Sequence, residues 1–459
     1  MPCVVGRMAS PPAFGTDFGT TTMTETNPST YERRDVIKAG AMATAALAVG
    51  NAFAQEKQAE PAQPKPKLPP IKVGLLGCGG RGTGAAFDAL QADSGVVIHA
   101  IGDILGDRVK SCRTNLETSV EYKDRVKIDD REFIGFEALD RMLATDIEVI
   151  LLATPPAFRP TQVVKSIDAG KHVFAEKPFG VDVPGALQIQ AAGLKAKEKN
   201  LSLMSGFCWR SSLPERAVYE QIHKGAIGNI RTIYATYNGS PNASFARKDG
   251  QTDMEWQVRN WFHFLWLGGD HIVEQACHSV DKLNWAMNNQ TPLRCWAVGG
   301  RAQRADGVGN IYDHFGVTYE YKGGVRSFLQ ARQWENCPTD NTDYVYGEKG
   351  TAFINGWGPS HVIKGESANW VYDGPSKNMY VHEHEEMFAG IRSGKVRNDT
   401  EWAVQSTLMA IMGRMAAYTG EVITWEKLLT STEVLGPAVP AMGEVAVTPV
   451  PRPGYTKFS

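Results

Sequence analysis

The sequence predicts a doubly wound α/β domain followed by an α+β domain, behind an N-terminal address segment. Three observations carry this. Short apolar runs alternate with helical stretches through residues 71–205, and a Gly-Cys-Gly-Gly-Arg-Gly turn closes the first run. Longer β-type runs gather beyond residue 206, where all eleven tryptophans lie.

Composition narrows the class. The 459 residues include 48 basic and 50 acidic side chains, a net charge of −2. That balance argues against a nucleic-acid binder and against attraction to an anionic membrane. No apolar run reaches the roughly 18 residues of a bilayer span, so no integral membrane association is expected. The seven cysteines, at 3, 78, 112, 208, 277, 295 and 337, form no C-x-x-C pair. They read as free, buried thiols rather than a zinc cluster.

Residues 1–54 read as a signal segment. A polar stretch leads to Glu32-Arg33-Arg34, then a short apolar run from Ala39 to Val49, then Ala52-Phe53-Ala54. This order resembles a twin-arginine (Tat) leader. It implies the Tat export machinery as a partner and a periplasmic or otherwise exported protein. Residues 55–70, rich in Pro, Lys and Gln, read as a linker.

The first folded domain, 71–205, begins with Ile71-Lys72-Val73-Gly74-Leu75-Leu76, a buried parallel strand by pattern. It runs into Gly77-Cys78-Gly79-Gly80-Arg81-Gly82, which is G-x-G-x-x-G. Gly77 permits the tight turn, Gly79 lets a pyrophosphate approach the backbone, and Gly82 lets helix and strand pack closely. The second strand, Val96–Ile101, ends in Gly102-Asp103. A carboxylate there can accept from ribose hydroxyls and repel a 2′-phosphate, which favours NAD over NADP. The strand Ile147–Ala153 ends at Thr154-Pro155, and His172–Ala175 ends at Glu176-Lys177-Pro178. Ligands on such sheets bind at these strand ends.

These motifs resemble the Gfo/Idh/MocA family of NAD(P)-dependent oxidoreductases. Similarity runs through the glycine loop, Asp103, Ala153-Thr154-Pro155, Ala169–Pro178, Gly268–Asp281, Met412-Gly413-Arg414 and Tyr418–Trp425. The resemblance implies a Rossmann domain and a C-terminal α+β domain, residues 206–459, with an open, mainly antiparallel sheet. It also implies a homo-oligomer and a small-molecule carbohydrate substrate. The sequence departs from the family at Pro156 and Arg159, and at Glu274, where Asp is usual.

In the second domain, β-type runs are Ile230–Tyr237, Arg294–Val298, Phe315–Tyr321, Val325–Trp334 and Thr351–Ile354. Helices are expected over Ile272–Met287, Glu383–Arg392 and Glu401–Tyr418. One uninterrupted helix would present Glu274 and His278 on the same face, at i, i+4. The expected catalytic set is His278 as general base, Lys177 as electrostatic or relay partner, and Glu274 as orienter of the imidazole. The expected coenzyme contacts are Gly77, Gly79, Gly80, Arg81, Gly82, Asp103, Thr154, Pro155, Glu176 and Lys177. Substrate candidates are Trp209, Arg210, Arg259, Asn260, Trp261 and His271, with His263 nearby. His382-Glu383-His384 reads as a helix start, and no metal is expected.

The leading function is oxidation or reduction of a hydroxyl of a sugar, polyol or sugar derivative by hydride transfer to nicotinamide. The coenzyme would be NAD, or else NADP, tightly bound because free nicotinamide is scarce outside the cytoplasm. Two alternatives stand beside it: an NAD-dependent glycosidase with no net redox change, and a non-catalytic sugar-binding relative.

Overall fold

The computed structural model describes residues 68–459 apart from positions 306, 308, 367 and 368; the leader and nearly all of the linker lie outside the described residues. The first six strands are β1 (Ile71–Leu76), β2 (Val96–Asp103), β3 (Glu132–Ile134), β4 (Val149–Leu152), β5 (His172–Ala175) and β6 (Leu203–Ser205). They form one parallel sheet in the order β3-β2-β1-β4-β5-β6. The strand order reverses between β1 and β4, and at such a switch point the strand ends open into a crevice. The alternation read from sequence is realised by α1 (Gly80–Ala92), α2 (Gly106–Glu117), α3 (Ala138–Leu143), α4 (Arg159–Asp168) and α5 (Val183–Glu198). Strands β1 and β4 are almost wholly buried, which is why they read as continuous apolar runs.

A nine-stranded sheet follows. Its strands are β7 (Ile230–Gly239), β8 (Arg294–Gly300), β9 (His314–Glu320), β10 (Arg326–Gln333), β11 (Asp343–Gly347), β12 (Gly350–Ile354), β13 (His361–Gly365), β14 (Asn369–Val371) and β15 (Ile423–Thr424). The order is β14-β13-β12-β11-β7-β10-β9-β8-β15. Every neighbouring pair is antiparallel except β7 with β10. All five anticipated β-runs are present; β11, β13, β14 and β15 are additions. The helices of this half are α6 (Leu213–His223), α7 (Asp253–Arg259), α8 (Cys277–Ala286), α9 (Met379–Ser393), α10 (Thr400–Thr419) and α11 (Trp425–Leu429).

The expected helix Ile272–Met287 is broken. A one-turn helix, His271–Glu274, stops at Gln275, and α8 restarts at Cys277. The cause is the Glu274 carbonyl. In an unbroken helix it would accept the His278 amide. Here it accepts the Lys177 ammonium, while the His278 amide turns to the Gln275 carbonyl at 3.2 Å.

Helix α9 returns to the first sheet. Met387 and Phe388 of α9 join the core that holds β1 and β2, and Arg392 makes a bidentate pair with Asp93 at 2.6 and 2.7 Å. His382, Glu383 and His384 therefore lie inside α9, one turn past its start, rather than at the start itself. His384 is wedged between the rings of Phe174, at 4.3 Å, and Phe388, at 6.2 Å, with neither ring nitrogen bonded.

Burial pushes His384 and His271 down to about 3, so the native protein holds both imidazoles neutral. The unfolded chain takes up these protons below pH ~6.5. Stability therefore falls as pH drops through that value, by about 1.4 kcal/mol per pH unit for each ring. Asp270 and Asp343, raised to about 6 by burial, act in the opposite sense as they take up protons below that pH. Replacing His384 by Leu isolates one contribution. The loss of urea-unfolding free energy between pH 7 and pH 5 should shrink by about 2 kcal/mol relative to the parent; equal losses in both proteins would refute the account.

Candidate active site

The glycine loop is shaped by sterics at two positions and left open at two others. Gly77 has φ 99°, and a Cβ there would lie 2.6 Å from the Ala153 carbonyl carbon. At Gly82 a Cβ would lie 1.7 Å from the Gly77 oxygen. At Gly79 the nearest atom would be the movable Arg108 Nη1 at 3.1 Å, and at Gly80 nothing lies within 4 Å. The N-terminus of α1 has no side-chain cap and no acidic residue in its first turn. Its positive dipole end therefore faces the cleft, as a pyrophosphate site requires. A cavity of about 450 Å³ opens there, lined by Gly77, Gly79, Asp103, Thr154 and Pro155. Cradle, dipole and cavity fit a dinucleotide.

Asp103 is anchored as well as placed. Its Oδ2 accepts the Cys78 amide at 2.7 Å and its Oδ1 the Leu105 amide at 2.9 Å. The remaining lone pairs can meet a ribose. Arg81 and Glu176 are bonded to each other, Nε to Oε1 at 2.5 Å, and Arg81 also pairs with Asp88 at 2.8 Å. What these two positions can offer a coenzyme is backbone. The pair also ties the glycine loop to the residue preceding Lys177. Arg159, where the sequence leaves the family pattern, is buried and donates to the carbonyls of Thr154, Lys177 and Pro178 at 2.7, 2.5 and 2.9 Å. It fastens the end of β4 to the end of β5.

Lys177 Nζ is 3.0 Å from Glu274 Oε1 and also holds the Glu274 carbonyl. Burial alone would depress this ammonium, but the Glu274 carboxylate overrides burial and holds it above the ordinary lysine range. The expected role of Glu274 is thereby corrected. Its carboxylate orients Lys177, not His278, because the helix break carries the imidazole out of register with it. His278 is fixed instead by rings: Trp209 at 5.1 Å, Phe207 edge-on at 5.9 Å, and Tyr237 parallel at 6.5 Å. Its Nδ1 is buried without a partner. Burial, then the cations of Lys177, Lys282 and Arg81, hold the imidazole neutral. The Cys277 thiol is pushed up to about 12 by burial, so it is no nucleophile.

Several substrate candidates have other duties. Arg210 makes a bidentate pair with buried Asp281 at 2.9 and 2.8 Å, between the rings of Trp285 and Trp402. Asn260 binds the backbone of Phe245 and Trp256, and Arg259 pairs with Asp107 and Glu255. Trp261 lines the dinucleotide cavity. His271 is a core residue against Phe315, at 5.0 Å, and His263 is bonded to Ala243 and Arg304. These residue types can serve either role, and sequence alone does not separate them.

Trp209 does reach the site. It is buried against His278 on one side and meets the exposed Trp357 at 4.9 Å on the other. Trp357 and Tyr237 are the residues sequence reading missed. Trp357 carries a faint signal, an aromatic between two glycines in Asn355-Gly356-Trp357-Gly358. Tyr237 carries none beyond closing a strand run. Burial raises its hydroxyl pKa, and Lys177 and Glu274 are its charged neighbours. Among the described residues, no group of three or more His, Cys, Asp or Glu is arranged to hold a metal, the six described cysteines are free, and no helix is long and apolar enough to cross a membrane.

Parallel sheet, glycine loop and crevice define a dinucleotide-binding oxidoreductase fold. Residues 71–207 match the family described as oxidoreductase family, NAD-binding Rossmann fold, and residues 216–353 match the GFO/IDH/MocA C-terminal domain. The chain belongs to the Gfo/Idh/MocA oxidoreductase family. It is 29% identical over 172 residues to dTDP-3,4-didehydro-2,6-dideoxy-alpha-D-glucose 3-reductase of Actinomadura kijaniata, covering 38% of this chain and 47% of that protein. It is 22% identical over 273 residues to 2,7-anhydro-N-acetylneuraminate hydratase of Escherichia coli strain K12, covering 59% and 67%. The chain thus spans about half to two thirds of the curated relatives it matches. In fold it is similar to a levoglucosan dehydrogenase in complex with NADH and levoglucosan, with a TM-score of 0.63, 16% identity, and 77% and 99% of the two chains covered.

The two kinds of glycine should part on substitution. Gly82→Ala forces backbone apart and should lower the melting temperature and abolish coenzyme binding together. Gly79→Ala meets only a mobile guanidinium, so it should keep the parent melting temperature while weakening NAD binding about 10- to 100-fold by calorimetry. Equal melting losses in both variants would contradict this reading of the loop.

Proposed function

We propose that the protein is an NAD(P)-dependent oxidoreductase that acts on a hydroxyl-bearing carbon of a sugar, polyol or sugar derivative. The observation that carries this reading is the glycine-loop crevice together with the buried Lys177–Glu274 ion pair, which stands at the carboxyl end of β5 and whose ammonium acts through space on a neutral His278. The coenzyme would lie along the glycine loop with Asp103 at a ribose, and when bound it supplies the hydride acceptor. His278 takes the hydroxyl proton as the substrate carbon gives up hydride, leaving a carbonyl. Lys177, protonated and therefore no base, donates a hydrogen bond to the same oxygen and stabilises its developing negative charge. Glu274 keeps that ammonium in place. Trp357, backed by Trp209, offers a flat apolar face to the C–H surface of a sugar ring. The relatives, a deoxysugar reductase and a levoglucosan dehydrogenase by name, support this substrate class.

Further support for an exported enzyme comes from the Arg33-Arg34 leader order. Changing both arginines to lysine should leave the protein in the cytoplasm on fractionation; unaltered export would remove this part of the proposal.

A panel of sugars and polyols with NAD⁺ and NADP⁺, read by absorbance of the reduced nicotinamide, tests the main reading. Protein that binds coenzyme yet reduces it with no member of the panel would overturn it. The imidazole gives a sharper test. Because burial and three cations hold His278 far below 6.5, it stays neutral as pH falls, and kcat/KM should stay flat between pH 8 and pH 6. A descending limb centred near pH ~6.5 would contradict the assignment. His278→Gln should lower kcat about 10²- to 10⁴-fold with the NAD dissociation constant nearly unchanged.

A further inference from the structure

We propose that residues 433–445 form a clasp across the adenosine end of the dinucleotide crevice, so that the coenzyme is a resident group, released only when the clasp lifts. This rests on the coenzyme reading above. No helix or strand follows α11, yet this tail is tied down at both sides of the crevice. On the side of the first sheet, Leu435 N donates to Asp182 at 3.0 Å; just before it, Glu433 pairs with buried Arg414 of α10 at 2.5 Å. On the far side, Gly443 accepts the Met254 amide at 3.0 Å, Val445 N donates to Asp253 at 3.2 Å, and Gln257 donates to the Val445 carbonyl at 2.6 Å.

The stretch between these anchors is a wall of the coenzyme cavity. Val434, Leu435, Pro437, Ala438 and Pro440 line the same 450 Å³ space as the glycine loop and Asp103. Val434 is 67% exposed along that wall, an apolar surface that an adenine ring would cover. Gly436 has φ 89° and lies so close to Trp266 that a Cβ would be 2.6 Å from its ring. Gln257 holds Trp266 through Oε1, at 2.6 Å, and the tail through Nε2. One side chain therefore locks Trp266 and the clasp together. Five prolines, at 437, 440, 449, 451 and 453, reduce the conformational freedom the tail gives up on ordering.

Release from such a site passes through local opening of the tail. Full-length protein loaded with NADH and mixed with excess NAD⁺ should lose bound-NADH fluorescence slowly, at a rate independent of NAD⁺ concentration. Gly436→Val, which pushes the tail off Trp266, should release NADH at least about tenfold faster. Amide hydrogen exchange supplies a second measurement on the unaltered chain: NADH should slow exchange at Leu435 and Val445. Unchanged exchange at those amides, or unchanged release from a Gly436→Val protein whose tail exchanges faster, would overturn the clasp while leaving the coenzyme site standing. Full-length protein that shows no affinity for NADH at all would instead bring down the coenzyme reading, and the clasp with it.

Discussion

The site depends on one ammonium group. Lys177 stands at the carboxyl end of β5 and takes both the carbonyl and the carboxylate of Glu274. The first contact withdraws the acceptor that would have continued the helix, so the chain breaks at Gln275 and His278 starts afresh in α8. The second contact neutralises a buried cation, without which burial would drive the lysine toward its uncharged form. A single side chain thus decides where the imidazole goes and remains available as the charge beside it. Removing either partner would leave the other buried and unpaired, a cost of about 3–5 kcal/mol.

Electrostatics then divides labour between the two groups. Lys177, Lys282 and Arg81 act on His278 through space, and its ring sits among aromatic neighbours with no partner for Nδ1. A protonated imidazole is disfavoured there, so a proton taken up in the proposed reaction would have to be passed on rather than kept. Behind it, Lys282 lies 3.9 Å over the Trp209 ring and pairs with Asp343, both fully buried. This second ion pair braces Trp209 and adds to the positive field at the imidazole.

The first sheet was legible because its physics is local. Strands buried on both faces must be apolar throughout, and a turn that meets a pyrophosphate must be glycine where a Cβ would strike backbone, as at Gly77 and Gly82. Lys177 and His278, the proposed catalytic pair, come from the family resemblance, and Trp209 from the gathering of tryptophans in the second half. The helix break was not legible, because its cause is 97 residues away in sequence. Periodicity over Ile272–Met287 sees only the apolar face. Arg210, Asn260 and His271 were misplaced for a related reason. A buried arginine with a bidentate carboxylate and a cleft arginine look alike in sequence, and only the partner distinguishes them.

The crevice is assembled from stretches that the chain delivers last as well as first. Glycine loop and Asp103 come early, Lys177 and Glu274 from the middle, α9 packs under the first sheet from residue 379, and the tail closes the wall at 434–440. Contacts of such sequence separation form late, because loop-closure entropy must be met before they stabilise anything. A nascent chain therefore carries the phosphate cradle long before it carries the enclosure. Residues 434–440 add a wall to a crevice whose floor is the glycine loop and Asp103.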